Sequence, residues 1–165
     1  MVGPPGRHNA AYGLYRSFAA PAVRDADELA LPMGGGKTSP ISAVDVARAV
    51  SVVLDDPTPH IGRIYNLTGF ESADLEHYAH AFSEALGRTI RYRDVPLSAW
   101  SEKLLGAGVP AHTVKHLSVM TELNKQGRYD RMTDDLFKLI GQKPISMHDF
   151  VKLHAAEFTR PEIKA

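Results

Sequence analysis

The sequence predicts a helix-rich α/β fold with few strands. Three features carry this. Ser42/Asp45 and Ser146/Asp149 each place a hydroxyl three residues before a carboxylate at the start of an apolar run of helical spacing. Gly87, Gly127 and Gly141 stand where such runs stop, as left-handed helix ends require. Period-two alternation is confined to short stretches, of which residues 89–95 (Thr-Ile-Arg-Tyr-Arg-Asp-Val) are the clearest.

Taken in order, residues 1–11 are rich in Gly and Pro and show no period, and residues 12–24 read as a short helix interrupted by Pro21. Leu29 to Met33 reads as a strand, Gly34, Gly35 and Gly36 as a turn, and Lys37 to Ile41 as a second extended piece, together a hairpin. The helix after Ser42 puts Val46, Ala47, Val50, Val53 and Leu54 on one face and ends before Pro57 and Pro59. Arg63 to Thr68 predicts a strand closed by Gly69. Asp74 to Leu86 is a helix with Leu75, Tyr78, Ala79, Phe82 and Leu86 inward. Further helices follow over residues 98–105 and from Pro110 to about Gln126. Thr133 is expected to cap residues 134–140, and Ser146 to open a helix from Met147 to Phe158. So few strands fall short of the usual sheet of about five or six. The expectation is that something outside this chain completes the core.

At 165 residues the chain is long enough for one domain, 1–165, with a real core. Lys plus Arg equal Asp plus Glu at 19 each, which removes the electrostatic argument for nucleic acid or an anionic membrane as partner. The absence of Cys excludes disulfides and thiolate metal sites and fits a reducing compartment. No apolar run approaches the ~20 residues a spanning helix needs, and the first residues carry no hydrophobic signal core. The protein is read as cytoplasmic, with no nucleic-acid or membrane partner.

Several motifs invite chemistry and fail on inspection. Gly36-Lys37-Thr38 is the tail of a phosphate-binding loop, but the glycine required five residues earlier is Leu31, and Pro40 biases Ser39 away from helix. Gly3-Pro-Pro-Gly6 lacks a preceding strand, and its prolines remove the N–H groups that hold a pyrophosphate. No Tyr is followed by Lys four residues on, the spacing of a reductase proton-donor pair; Tyr12 with Arg16 comes nearest. His112 and His116 share a helix face without a third ligand and read as surface or packed histidines, His77 and His80 lie on a polar face and read as solvated, and no metal is assigned. No catalytic residue is assigned either.

The order of elements nevertheless resembles a family. Leu31 to Val50, then Gly62-Arg-Ile-Tyr-Asn-Leu-Thr-Gly69, Ala85-Leu-Gly-Arg88, Tyr92-Arg-Asp-Val-Pro96, Thr133-Asp-Asp135, Leu139 to Pro144 and His148-Asp-Phe150 are similar to the C-terminal half of NmrA-like proteins. These are atypical extended short-chain dehydrogenases/reductases that bind NAD(P). The resemblance spans residues 20–159. Residues 1–15 match poorly, because the aromatic pair expected before Asn9 is replaced by Arg7 and His8. It implies the helix-rich C-terminal lobe of a Rossmann-type NAD(P)-binding protein, lacking the N-terminal dinucleotide-binding units. In the family the helix Asp45 to Leu54 and the strand Arg63 to Thr68 pack onto the Rossmann sheet.

Two functions follow from the resemblance. One is the substrate-side lobe of an NAD(P)H-dependent oxidoreductase, quinone- or carbonyl-reductase-like, not catalytic by itself. The other is a non-catalytic NAD(P)H-sensing regulator or protein-interaction module. NADP or NAD belongs to the complete fold, with none expected for this chain alone. Its partners are a small-molecule substrate and either a second copy or a complementing Rossmann half. The resemblance puts Asn9, Thr38 and Ser39 nearest the cofactor–substrate cleft. Trp100, the sole Trp, either lines a pocket or fills the core, the core role carrying more weight.

Overall fold

The computed structural model describes residues 12–160. Its helices are α1 (Ala20–Ala26), α2 (Ala43–Asp55), α3 (Leu75–Leu86), α4 (Leu97–Gly106), α5 (Ala111–Lys125), α6 (Asp135–Ile140), α7 (Met147–Leu153) and α8 (Ala155–Phe158). Two strands, β1 (Glu28–Leu31) and β2 (Arg91–Asp94), pair in parallel with Glu28 opposite Arg91 and Leu31 opposite Asp94. The helix-rich α/β expectation is met.

Helix α3 organises the main core because its apolar residues recur at helical spacing. Leu75, Tyr78, Ala79 and Phe82 are all buried, against α7 on one side and the strands on the other. Asp74 starts α3 by accepting the His77 N–H at 2.9 Å, and Gly87 ends it at φ +65°. In β2 and the residue before it, Ile90 and Tyr92 turn inward while Arg91 and Arg93 stay exposed, as the alternation requires.

A second, thinner core lies apart from it. Ile41, Ala49 and Leu136 are buried there, backed by Val46, Leu67, Leu139 and Ile140. Its cover is incomplete. Val50 and Leu54, which their spacing places on one face of α2, are 49% and 72% exposed, and Ile61 and Ile64 are 79% and 74% exposed. Large aliphatic side chains standing this far out of a folded protein are of the kind found at interfaces.

The structure corrects several local expectations. Pro21 does not interrupt a helix; it sits in the first turn of α1, where its missing N–H costs nothing, and a π-turn over Tyr15–Ala19 leads the chain into it. The hairpin does not form. β1 takes β2 as its partner, and residues 37–41 pair elsewhere: Thr38 bridges Ala73, and Ile41 O accepts the Tyr12 N–H at 3.1 Å. The strand expected over Arg63 to Thr68 does not form; these residues have no regular structure and no ladder partner among the described residues. Their polar groups turn to the α6 approach instead: the Asn66 N–H donates to Asp135 at 2.7 Å, and Thr68 Oγ1 donates to Thr133 O at 3.1 Å.

Caps deviate too. Thr133 does not cap α6; its hydroxyl donates to Asn66 O, and the N-cap residue is Asp134 without a side-chain bond. Ser42 accepts the Val44 N–H at 3.1 Å, but Asp45 does not close the box. Its buried carboxylate accepts the Ile145 N–H at 2.7 Å and pairs with Arg48 at 3.1 Å, tying α2 to the segment before α7. The last helix breaks at His154 into α7 and α8.

Candidate functional site

The glycine-rich turn after β1 is fixed by the end of β2. Gly34 N–H donates to Asp94 Oδ1 at 3.0 Å and Met33 N–H to Tyr92 Oη at 3.3 Å. Tyr92 Oη also lies 3.1 Å from both Leu31 O and Asp94 Oδ1. Burial first, and then the Asp94 charge, pushes the Tyr92 hydroxyl up, so it remains a protonated donor. Gly36 N–H donates to Met33 O at 3.2 Å and Thr38 N–H to Ala73 O at 3.0 Å. With these N–H groups taken and a carboxylate at the turn, Gly36-Lys37-Thr38 does not fit a phosphate or a cofactor pyrophosphate.

What the turn builds instead is one wall of a cavity. Thr38 is 2% exposed, and its carbonyl accepts from Ala73 N–H at 3.1 Å and from Tyr78 Oη at 2.8 Å. Burial, with the Glu71 charge next, raises the Tyr78 hydroxyl, so that bond persists across ordinary pH. Gly69 completes the support: its N–H donates to Ser39 O at 3.2 Å, and a Cβ there would come within 2.7 Å of the Pro40 carbonyl carbon, so only glycine fits.

The opposite wall comes from α4 and α5. Val114, Leu117, Thr121 and Asn124 form the buried stripe of α5, and Trp100 the buried face of α4. Asn124 Nδ2 donates to Gly36 O at 3.1 Å. Backbones approach closely here: a Cβ on Gly36 would lie 2.7 Å from the Asn124 carbonyl carbon. The cavity between the walls has a volume of about 20 Å³ and an apolar lining. Leu14, Met33 and Thr38 face it from the body; Trp100, Leu117, Met120, Thr121 and Asn124 face it from the helices, with Tyr129 beyond. Thr38 Oγ1 is buried and has no hydrogen-bond partner among the described residues.

The sequence-derived site residues are thus partly gathered. Thr38 and Trp100 both line the cavity, and Trp100 is buried at 5% exposure. Ser39 is next to the wall but not in it; its hydroxyl donates to Arg131 O at 2.7 Å. Asn9 lies outside the described residues. Sequence reasoning missed Met33, Thr121 and Asn124. The available signal was the polar pair Thr121 and Asn124 at i and i+3, continuing the apolar stripe Val114, Leu117 on α5. Among the described residues no three His, Asp or Glu side chains cluster as metal ligands, and no helix is long and apolar enough to cross a membrane.

No family model matches the chain. The NAD(P)H azoreductase of Xenophilus azovorans is 30% identical over 139 residues, covering 84% of this chain and 48% of the azoreductase. An uncharacterized oxidoreductase of Bacillus subtilis (strain 168) is 29% identical over 126 residues, 76% of this chain and 44% of its own length. The solved structure of the NADPH-dependent quinone oxidoreductase of Escherichia coli complexed with NADPH superposes with a TM-score of 0.76 at 20% identity, over 90% of this chain and 52% of the other. The chain spans about half the length of the curated relatives it matches.

Proposed function

We propose that this chain, which is related to the NmrA-like NAD(P)-binding reductases and matches the C-terminal part of their fold, is the substrate-side lobe of an NAD(P)H-dependent oxidoreductase acting on a quinone or similar carbonyl. The cofactor belongs to a separate dinucleotide-binding half, and the lobe alone neither binds it nor transfers hydride. The observation that carries this reading is the incomplete cover of the second core, where Val50 and Leu54 of α2 stand 49% and 72% exposed, with Ile61 and Ile64 further along the chain 79% and 74% exposed. Such exposure fits a helix side made to pack on a sheet whose strands lie outside the described residues.

In this arrangement the chain's own residues do three things. The Thr38, Met33 and Trp100 walls bind a flat apolar ring. Burial of that ring excludes water from the reacting face. The Tyr78 and Asp94 hydrogen bonds hold the turn so that this wall keeps its position. The nicotinamide of the missing half would supply the hydride.

The test is complementation. The N-terminal half of the Xenophilus azovorans azoreductase is co-expressed with this chain, and the pair is examined by size exclusion and by NADPH binding in calorimetry. A stable 1:1 complex that binds NADPH, beside a lobe that alone does not, is the expected result. Micromolar NADPH binding by the lobe alone overturns the reading, as does a lobe that ignores the other half and remains a monomer with no affinity for a hydrophobic dye.

A further inference from the structure

We infer that α4 and α5 form a hinged hairpin that must swing away from the body to admit a ligand, with Asn124 as its latch; this deepens the substrate-lobe reading and rests on it. The first ground is size. A dry cavity that takes a benzene ring measures about 150 Å³, whereas this one measures about 20 Å³, room for about one water. No quinone ring enters unless the walls part.

The second ground is attachment. In the body wall, Met33 is part of the main core, Leu14 packs against it and Thr38 is held by the Thr38–Ala73 bridge; Trp100, Leu104, Val114 and Leu117 of the hairpin reach the same core through apolar contact alone. Helices α4 and α5 pack chiefly on each other, with Ser101 and Ser118 hydroxyls 3.2 Å apart at their seam. Among the described residues one hydrogen bond fastens residues 97–125 to the body, from Asn124 Nδ2 to Gly36 O. The rest of the seat is apolar, including Trp100 edge-on to Phe18 with ring centroids 6.2 Å apart. Apolar contacts slide and part without leaving a polar group unpaired, so the Asn124 bond is what defines the closed position.

The third ground is the ends. Pro96 precedes α4, and Gly127 after α5 sits at φ +71° with open space around it, so both junctions lie in short irregular segments that can take up a rotation. Closure brings Gly36 against Asn124 so tightly that an added methyl at Gly36 wedges the hairpin outward.

The experiment is native-state hydrogen exchange on the full chain, followed by stopped-flow fluorescence of Trp100, the sole Trp, with duroquinone as the probe. In the unaltered protein, the amides of α4 and α5 are expected to exchange as one unit at least tenfold faster than those of α3 and α7. Asn124→Ala and Gly36→Ala should each speed that unit about fivefold or more, the equivalent of one hydrogen bond. The duroquinone rate should saturate at the opening rate and rise in both variants. Exchange of α4 and α5 only together with α3, through global unfolding, overturns the hinge, and the unaltered chain alone suffices for that result. Opening without any duroquinone-dependent change in Trp100 leaves the hinge and overturns the substrate pocket beneath it.

Discussion

Replacing Leu54 and Ile64 together by Gln separates an interface face from an ordinary surface. Leu54 is 72% exposed and Ile64 74% exposed in the lobe. Fully burying such a side chain is worth about 2 kcal/mol, so covering the three-quarters still exposed contributes about 1.5 kcal/mol each. Loss of both lowers the affinity for a covering partner by about 3 kcal/mol, about a hundredfold in association constant. The folded lobe itself gains almost nothing from these side chains, so its own stability should move by less than about 0.5 kcal/mol. Two measurements decide. Urea denaturation followed by circular dichroism gives the stability change, and light scattering over a concentration series gives association, with itself or with the dinucleotide half. A loss of more than about 1 kcal/mol in the urea melts would mean that these residues are core and need no further cover. Unchanged association would refute a missing cover equally.

Other substitutions test the described packing. Tyr15 is fully buried with its hydroxyl unpartnered among the described residues, so Tyr15→Phe removes an unsatisfied polar atom and should stabilise by about 1 kcal/mol, raising Tm by about 3 °C in calorimetry. Asp45→Ala strips the buried partner from Ile145 N–H and Arg48 and should cost about 3 kcal/mol in urea melts; a neutral result would show that this carboxylate does not tie α2 to the α7 approach. The Ser146 hydroxyl, and then His148, lower the Asp149 pKa. Because its folded pKa lies below the unfolded one, its contribution to α7 is present above the unfolded carboxylate range and fades as pH falls through the folded value. An NMR titration should show Asp149 protonating below its model-peptide value, and Ser146→Ala should return it toward that value.

Local features were legible where one residue decides them. Asp74, Gly87 and Gly141 set helix ends in the structure as their chemistry requires, and Ile90 and Tyr92 face inward as alternation demands. Pairing was not legible. Whether Leu29 to Leu31 meets residues 37–41 or residues 91–94 depends on contacts across sixty positions, and a glycine turn is compatible with either. The Asp45 carboxylate shows the same limit. Its spacing from Ser42 is that of a capping box, yet the N–H it satisfies belongs to Ile145. The cavity was half visible: Trp100 and Thr38 were singled out, but Asn124 needs the close approach of Gly36 to acquire its meaning.

The parallel pairing of β1 with β2 also sets a timetable. Leu29 and Leu31 leave the ribosome about sixty residues before the strand that shelters them, because their register partners are Tyr92 and Asp94. At about 5–20 residues per second that interval is several seconds. For that time two leucines with no exposure in the finished protein stand open to whatever is nearby. During synthesis, β1 is a sticky surface before the exposed aliphatic side chains of α2 are made.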